Sequence, residues 1–146
     1  MIREFTPADT DALLGLLRLN TPLFFAPEEE ADYIDYLQQH IHSYYVLEEN
    51  DTIVAAGGIN FMEDGITARI SWDMVSPDVH GKGFGSKLTQ YRIEQIKTHP
   101  NIKTIEVRTT QLVYPFYEKQ GFTLMETVKD YWAKGFDLYR MEMKIQ

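Results

Sequence analysis

At 146 residues with a formal net charge of −8 at pH 7, the chain has the length of a single domain, enough to bury roughly 68–70% of the surface its unfolded form exposes. It contains no cysteine, which excludes disulfides, thiolate metal sites and a cysteine nucleophile, and its acidic balance repels a phosphate backbone, which argues against nucleic acid as a partner. The charged start "MIREFTPADTDALLGLL" lacks the apolar core of a secretory signal and no apolar run reaches membrane-span length, so a soluble cytoplasmic protein with no membrane partner is expected.

In chain order, Thr6-Pro7-Ala8-Asp9 places a capping residue, a proline and an acid where a helix begins, and predicts a helix to about Asn20. "APEEEADYIDYLQQHI" predicts a second helix, with Pro27 and three glutamates at its start and Ile34, Leu37 and Ile41 at helical spacing. "SYYVLEE" and "TIVAAGGINF" read as strands joined across Asn50-Asp51. In "ARISWDMV" strict alternation puts Ala68, Ile70, Trp72 and Met74 on one face and Arg69, Ser71, Asp73 and Val75 on the other. After a glycine loop, a helix carries Leu88, Ile93 and Ile96 in one stripe, with Thr89 and Arg92 inside it, and stops at His99-Pro100-Asn101. "IKTIEVRT" is the next strand, and strand, helix, strand in that order predicts a right-handed parallel crossover. A short helix over residues 111–120 and two long strands, 122–131 and 136–145, complete the chain as a hairpin. The expected architecture is α/β with a mixed sheet in one domain.

The glycine loop is the first segment that points to chemistry. Gly81, Gly83 and Gly85 fall between a strand and a helix start. Unpaired backbone N–H groups and the positive end of the helix dipole meet there, and glycine lets the backbone approach an anion closely. The dipole contributes only about 0.3–1 kcal/mol when exposed, so several N–H groups must act together to hold a pyrophosphate. Taken alone the pattern also serves as a tight connection. It lacks the Lys-Ser/Thr that follows the last glycine of a P-loop, and its spacing differs from the dinucleotide fingerprint.

A second segment, "TTQLVYPFYEKQGFTL" over residues 109–124, reads by itself as packing, with Gly121 ending a helix and Phe122 making the contact that accompanies such an end. Together, "V-x-P-x-x-x-G-K-G-x-G-S-x-L" and, about thirty residues later, "F-Y-E-K-x-G-F" resemble the GNAT superfamily of acyl-CoA-dependent N-acetyltransferases. The resemblance extends over nearly the whole chain. It implies a mostly antiparallel central sheet with a splayed parallel strand pair and flanking helices, and an enzyme that moves an acetyl group from acetyl-CoA to a primary amine. A non-catalytic acyl-CoA-binding module is the alternative that the same loop would serve.

The resemblance also assigns residues. The family's phosphate loop falls on His80-Gly81-Lys82-Gly83-Phe84-Gly85, whose N–H groups, with that of Ser86, are expected to hold the coenzyme A pyrophosphate. His80 stands where the family usually has Arg or Gln. Free backbone groups around Asp73, Met74 and Val75 are expected to bind the pantetheine arm and polarise the acetyl carbonyl. The family's frequent general acid falls on Tyr117, a phenol of reference pKa about 10 beside a leaving thiolate of about 8.5. Thr110 occupies a position where an asparagine often contacts the cofactor.

Some family members carry a glutamate base on the strand before the loop, and here that position is Arg69. Asp73 is the first candidate base, with Glu63, Asp64 or a water relay as alternatives. Acceptor selection in the family comes from the first two helices and their connection, where Glu28, Glu29 and Glu30 either attract a cationic amine or simply favour a helix start. The acceptor is left open as a small-molecule or peptide amine. The four histidines have no metal-ligand spacing, no Gly-x-Ser-x-Gly elbow is present, and pairing of the terminal strands offers a route to a homodimer.

Overall fold

A computed structural model describes residues 1–145. Seven strands and four helices follow in the order β1 (Ile2–Glu4), α1 (Thr10–Leu19), α2 (Glu29–Asp35), β2 (Ser43–Glu49), β3 (Thr52–Phe61), β4 (Thr67–Val75), α3 (Phe84–Lys97), β5 (Thr104–Thr109), α4 (Tyr114–Gln120), β6 (Thr123–Ala133) and β7 (Phe136–Lys144). The strands form one sheet in the order β1-β2-β3-β4-β5-β7-β6. Only β4 and β5 run parallel, joined through α3 as the crossover expectation required. Strand β1 was not anticipated. Three residues carry too little periodicity to read, and they become a strand by pairing with Tyr45–Leu47 of β2.

The sheet has a core on each face. Leu88, Ile93 and Ile96 of α3 and Tyr117 of α4 pack against Ala68, Ile70, Ile105 and Val107. On the opposite face Leu13, Leu16 and Leu17 of α1 and Tyr33, Tyr36 and Leu37 pack against Tyr44, Val46, Ala56 and Met74. The entry to α1 forms as its sequence predicts, with the Asp9 carboxylate accepting the Thr6 N–H at 2.8 Å. The α2 stripe differs from expectation. Tyr33, Tyr36 and Leu37, themselves at helical spacing, are buried, which leaves Ile34 beside the stripe and half-buried, and the wider turn over Tyr36–His40 carries Ile41 past it to the edge of the same core.

Two features of the sheet shape the cleft. Pairing between β4 and β5 ends at Ile70 with Val107, although β4 continues to Val75 and β5 to Thr109, so the two strands part like a V. Inside that opening β4 carries a bulge. Gly58 pairs with Ser71 and Ala56 with Met74, so Trp72 and Asp73 together stand opposite Gly57, and Trp72 has φ of 52°. The alternation read from the sequence therefore breaks. Ala68, Ile70 and Val75 face the α3 core, and Asp73 joins them, while Trp72 and Met74 turn to the α1/α2 side.

Candidate active site

The bulge is held by groups far away in sequence. The buried Tyr44 hydroxyl donates to the Trp72 carbonyl at 2.8 Å, and Tyr33 in turn bonds the Tyr44 oxygen at 2.8 Å. On the other face Arg92 grips Asp73 with both guanidinium nitrogens, Nη1 to Oδ1 at 2.6 Å and Nη2 to Oδ2 at 2.7 Å. Nη1 also donates to the Gly58 carbonyl at 3.1 Å. Gly57 makes room for this pair, since a Cβ there would lie 2.6 Å from Arg92 Nη1. The Arg92 side chain is 1% exposed. Burial works against its charge, but the neighbouring Asp73 charge and hydrogen bonds outweigh it, and the guanidinium is held above its ordinary value.

Tyr117 reaches the same carboxylate from α4, its hydroxyl donating to Asp73 Oδ2. Burial, and then the negative charge of Asp73, push the phenol well above its usual range, with Arg92 partly opposing. Asp73, Arg92 and Tyr117 thus form one hydrogen-bonded group where β4 parts from β5. Both oxygens of Asp73 are engaged by these partners.

The glycine loop occupies the outer end of the V. Gly81 and Gly83 have φ of 84° and 82°, a region natural to glycine, and a Cβ on either would meet nothing within 4 Å. The space in front of them is open. The first bond inside α3 runs from Lys87 N–H to the Gly83 carbonyl at 3.0 Å, so the amides of Phe84, Gly85 and Ser86 precede the helix ladder and have no partner in it. This is a fitting cradle for a pyrophosphate, flanked by the exposed side chains of Lys82 and Lys87. Gly85 lies close under Phe116 and Val75, each 3.4 Å from where a Cβ would be. The Lys82 amide is used internally, donating to the Val79 carbonyl at 3.3 Å. His80 folds its ring back on β4, 3.1 Å from the Val75 carbonyl, with its edge toward Phe24. Thr110 receives the Leu112 amide on its hydroxyl and those of Val113 and Tyr114 on its carbonyl, closing the turn into α4.

A cleft of about 640 Å³ runs along the V. Of the residues singled out in the sequence, Asp73, Met74, Val75, His80, Gly81, Gly83, Phe84, Gly85, Ser86, Thr110 and Tyr117 all line it, and Lys82 does not. Away from the loop its wall is Phe25, Glu29, Trp72, Arg108 and Trp132, while Phe24 stands beside His80 of the loop. Among the three glutamates at the start of α2, Glu30 is taken by Arg18 at 2.9 Å, while Glu29 is buried and faces the cleft. Glu63 and Asp64 are not part of the wall, and Asp64 instead caps the turn into β4 through Ile66 and Thr67.

Sequence reasoning passed over Arg92, Trp72, Arg108 and Trp132. Two signals were available: an arginine inside the apolar stripe of a helix requires a buried acid, and a Gly57-Gly58 pair within a strand marks a bulge or a close approach. Trp132 had none. It reaches the cleft through an irregular stretch of β6 around Asp130, at φ of 52°, and bonds the Thr109 carbonyl at 3.2 Å.

With this geometry in place, comparison with known proteins is decisive for the family. Residues 13–122 match the family model described as Acetyltransferase (GNAT) family. The chain belongs to that family. No curated protein matches the sequence, whereas many solved structures share the fold. An aminoglycoside 6'-N-acetyltransferase complexed with coenzyme A is 18% identical with a TM-score of 0.81, and the match covers 100% of this chain and 97% of that one. The ribosomal-protein-S18-alanine N-acetyltransferase from Escherichia coli is 18% identical with a TM-score of 0.83, covering 100% and 94%. Ard1 from Thermoplasma volcanium is 19% identical with a TM-score of 0.82, covering 100% and 97%. At these identities the likeness establishes the GNAT fold, and the sheet seen here, mixed and mostly antiparallel with one parallel pair, is that fold.

Proposed function

We propose that this GNAT acetyltransferase takes the acetyl group from acetyl-CoA and transfers it to a primary amine by direct attack in a ternary complex. One observation carries the reading: a single cleft joins the unpaired amides of the glycine loop to the buried Tyr117–Asp73–Arg92 group. The coenzyme A bound to a structural neighbour supports the choice of donor. Acetyl-CoA supplies an activated acyl group as a thioester. The amides of Phe84, Gly85 and Ser86, with the open faces of Gly81 and Gly83, hold the pyrophosphate. The main chain of β4 from Asp73 to Val75, which has no β5 partner, offers its groups to the pantetheine arm and the acetyl carbonyl.

Tyr117 is the acid of this scheme. Its raised proton affinity keeps the hydroxyl protonated throughout the working range, and the hydroxyl rotor turns from Asp73 toward the departing sulfur as charge gathers there. As the neutral amine forms its bond to the acetyl carbon, the C–S bond breaks and coenzyme A leaves as a thiolate. The phenol resists giving up its proton outright beside a carboxylate, so its contribution is a hydrogen bond that strengthens as that charge develops, and the proton shed by the acylated nitrogen passes to water. Asp73, expected as a base, is assigned here to positioning: it fixes Tyr117 and compensates Arg92. A dedicated base is not required for every acceptor, since an α-amine of pKa about 8 costs only about 1.4 kcal/mol to deprotonate at pH 7.

Tyr117→Phe tests the scheme. Turnover of an amine substrate is expected to fall by roughly 10²-fold or more, while calorimetric affinity for acetyl-CoA stays within about threefold. Wild-type turnover in Tyr117→Phe removes Tyr117 from the mechanism. Failure of the wild-type protein to bind acetyl-CoA removes the donor.

A further inference from the structure

The wall of the cleft farthest from the glycine loop contains two opposite charges, neither neutralised by the protein. Glu29 is 9% exposed, and its Oε2 accepts the Ala26 N–H at 2.8 Å. The charges that act on it are the acids Asp32 and Glu28, and no cation lies within 4 Å of it among the described residues. Burial pushes its carboxyl up, helped by those two acids and opposed by the Ala26 bond.

Arg108, on β5, lines the same cleft. It belongs to a charged ladder on the α1/α2 side of the sheet, beside the core that those helices cover, where every other member has a partner. Arg69 pairs with Glu106 at 2.6 Å, Arg140 with Glu126 at 2.9 Å and Glu142 at 2.6 Å, and Lys144 with Glu142 at 3.3 Å. Arg108 has no carboxylate among the described residues, and it sits directly opposite Arg140 in the β5–β7 register. Its Nε is buried without any hydrogen-bond partner, its Nη1 makes only a 3.4 Å contact with the Tyr131 hydroxyl, and its guanidinium lies 5.5 Å from the centre of the Trp132 ring. A buried guanidinium donor without an acceptor is costly, and so is a buried carboxylate without a cation. One ligand bearing both charges relieves both. Glu29 and Arg108 line the cleft together and also share a recess of about 330 Å³, whose wall holds Trp72 and Trp132 together with Asp32, His40 bonded to Asp35, and Arg69 already paired with Glu106. That volume is at the small end of the range of about 300–1,000 Å³ usual for small-molecule sites.

We propose that the acceptor is a free amino acid: its ammonium is received by Glu29, its carboxylate by Arg108, and its apolar side chain by Trp72 and Trp132. The proposal rests on the acetyltransferase reading for what happens to the amine, but the recognition itself does not need acetyl-CoA. A peptide N-terminus offers the same amine with its carboxylate converted to an amide, and the ladder geometry favours the free acid because Arg108 otherwise stays unpaired.

The chain's two tryptophans are the two that line the recess, so intrinsic tryptophan fluorescence reads its occupancy directly. The purified full chain is titrated with phenylalanine, leucine and methionine. For the best binder of the three, the matched probes are its amide, the decarboxylated amine and the deaminated acid. The free amino acid is expected to bind at least tenfold more tightly than any of these. Arg108→Gln is expected to remove that advantage over the decarboxylated amine, and Glu29→Gln to remove it over the deaminated acid. Both variants are expected to keep calorimetric affinity for coenzyme A, which shows them folded. The proposal is overturned if the amide or the decarboxylated amine binds as well as the amino acid, if Arg108→Gln leaves the ratio unchanged, or if none of the amino acids binds. Coenzyme A separates the two levels of inference. Binding of coenzyme A without any amino acid sinks this proposal alone, and binding of an amino acid without coenzyme A sinks the acetyl-transfer reading and leaves the recess standing.

Discussion

The two ends of the cleft are built on different principles. At the loop end a single run of sequence, residues 80–86, shapes a main-chain cradle in which the amides of Phe84, Gly85 and Ser86 precede the helix ladder. At the far end the wall is made of side chains from four separate places: Phe25 and Glu29 before and on α2, Trp72 on β4, Arg108 on β5 and Trp132 on β6. A backbone cradle needs glycines at fixed spacing and tolerates drift elsewhere, whereas a side-chain pocket is redrawn by any one of its contributors. That difference fits a family in which distant members share one fold while the names of the solved neighbours point to different acceptors.

The sharpest way to break the comparison is at the point where the ends meet. Asp73→Ala leaves the fully buried Arg92 without its counter-charge, and is expected to cost about 3–5 kcal/mol in urea unfolding. Because the same residue sits in the bulge that turns Trp72 toward the acceptor wall, both coenzyme A binding and the tryptophan response should suffer. Pairing Asp73→Asn with Arg92→Met removes both charges and should cost less than Asp73→Ala. A double variant as unstable as the single one would show that the cost comes from losing the bonds that Asp73 and Arg92 make to the bulge and not from an unpaired charge.

The next effect lies away from both ends of the cleft, in the scaffold that carries α1 to its acceptor wall. Asp9 anchors the start of α1 and is lowered from 3.8 to about 2, first by its hydrogen bonds from Arg3 and against the penalty of burial. A carboxylate lowered in the folded state contributes stability above its unfolded value, here near 3.8, and that stability is lost as pH falls through about 2. The contribution at neutral pH is about 2 kcal/mol at most, reduced by solvent around the partly exposed Arg3. Asp9→Asn is therefore expected to lower unfolding stability at pH 7, and its deficit relative to wild type should shrink between pH 4 and pH 2. A deficit independent of pH would mean that the ionised carboxylate, which both Arg3 and Thr6 bond, is not what stabilises the start of α1.

Gly83→Ala probes the loop end by itself. An alanine at φ of 82° costs about 1–2 kcal/mol of strain and shifts the amides that follow. The expected outcome is at least a tenfold loss of coenzyme A affinity, with amino-acid quenching of Trp72 and Trp132 unchanged. Loss of both responses would mean that the ends are coupled through α3.

The same contrast explains what could be read in advance. The loop end was legible because its information is local: three glycines, a strand before and a helix after. Tyr117 was legible only through a resemblance, since a buried tyrosine near Phe116 and Phe122 otherwise reads as packing. The face of Asp73 was misread because alternation assumes an unbroken ladder, and the extra residue at Trp72 is fixed by a hydroxyl from Tyr44, twenty-eight positions earlier. Arg108 lies within a plain strand segment, "IKTIEVRT", that carries no signal of its own. Its importance appears only when Glu106, Glu126 and Glu142 are seen to serve the other cations of the face.

The smallest expected effect is the most useful check on the acceptor wall. Arg18 joins α1 to the start of α2 through Glu30, but its side chain is 62% exposed, and ion pairs of that kind contribute about 0–1 kcal/mol. Arg18→Ala is expected to change unfolding stability by less than about 0.5 kcal/mol, because α1 and α2 are held by Leu13, Leu17, Tyr33 and Tyr36 in the core beneath. It also releases Glu30 next to Glu29, so any gain in amine binding should be modest and should vanish as salt is raised. A loss of more than 1 kcal/mol would reverse the picture, since the acceptor wall would then depend on surface charge and would loosen with ionic strength while the backbone cradle at the other end would not.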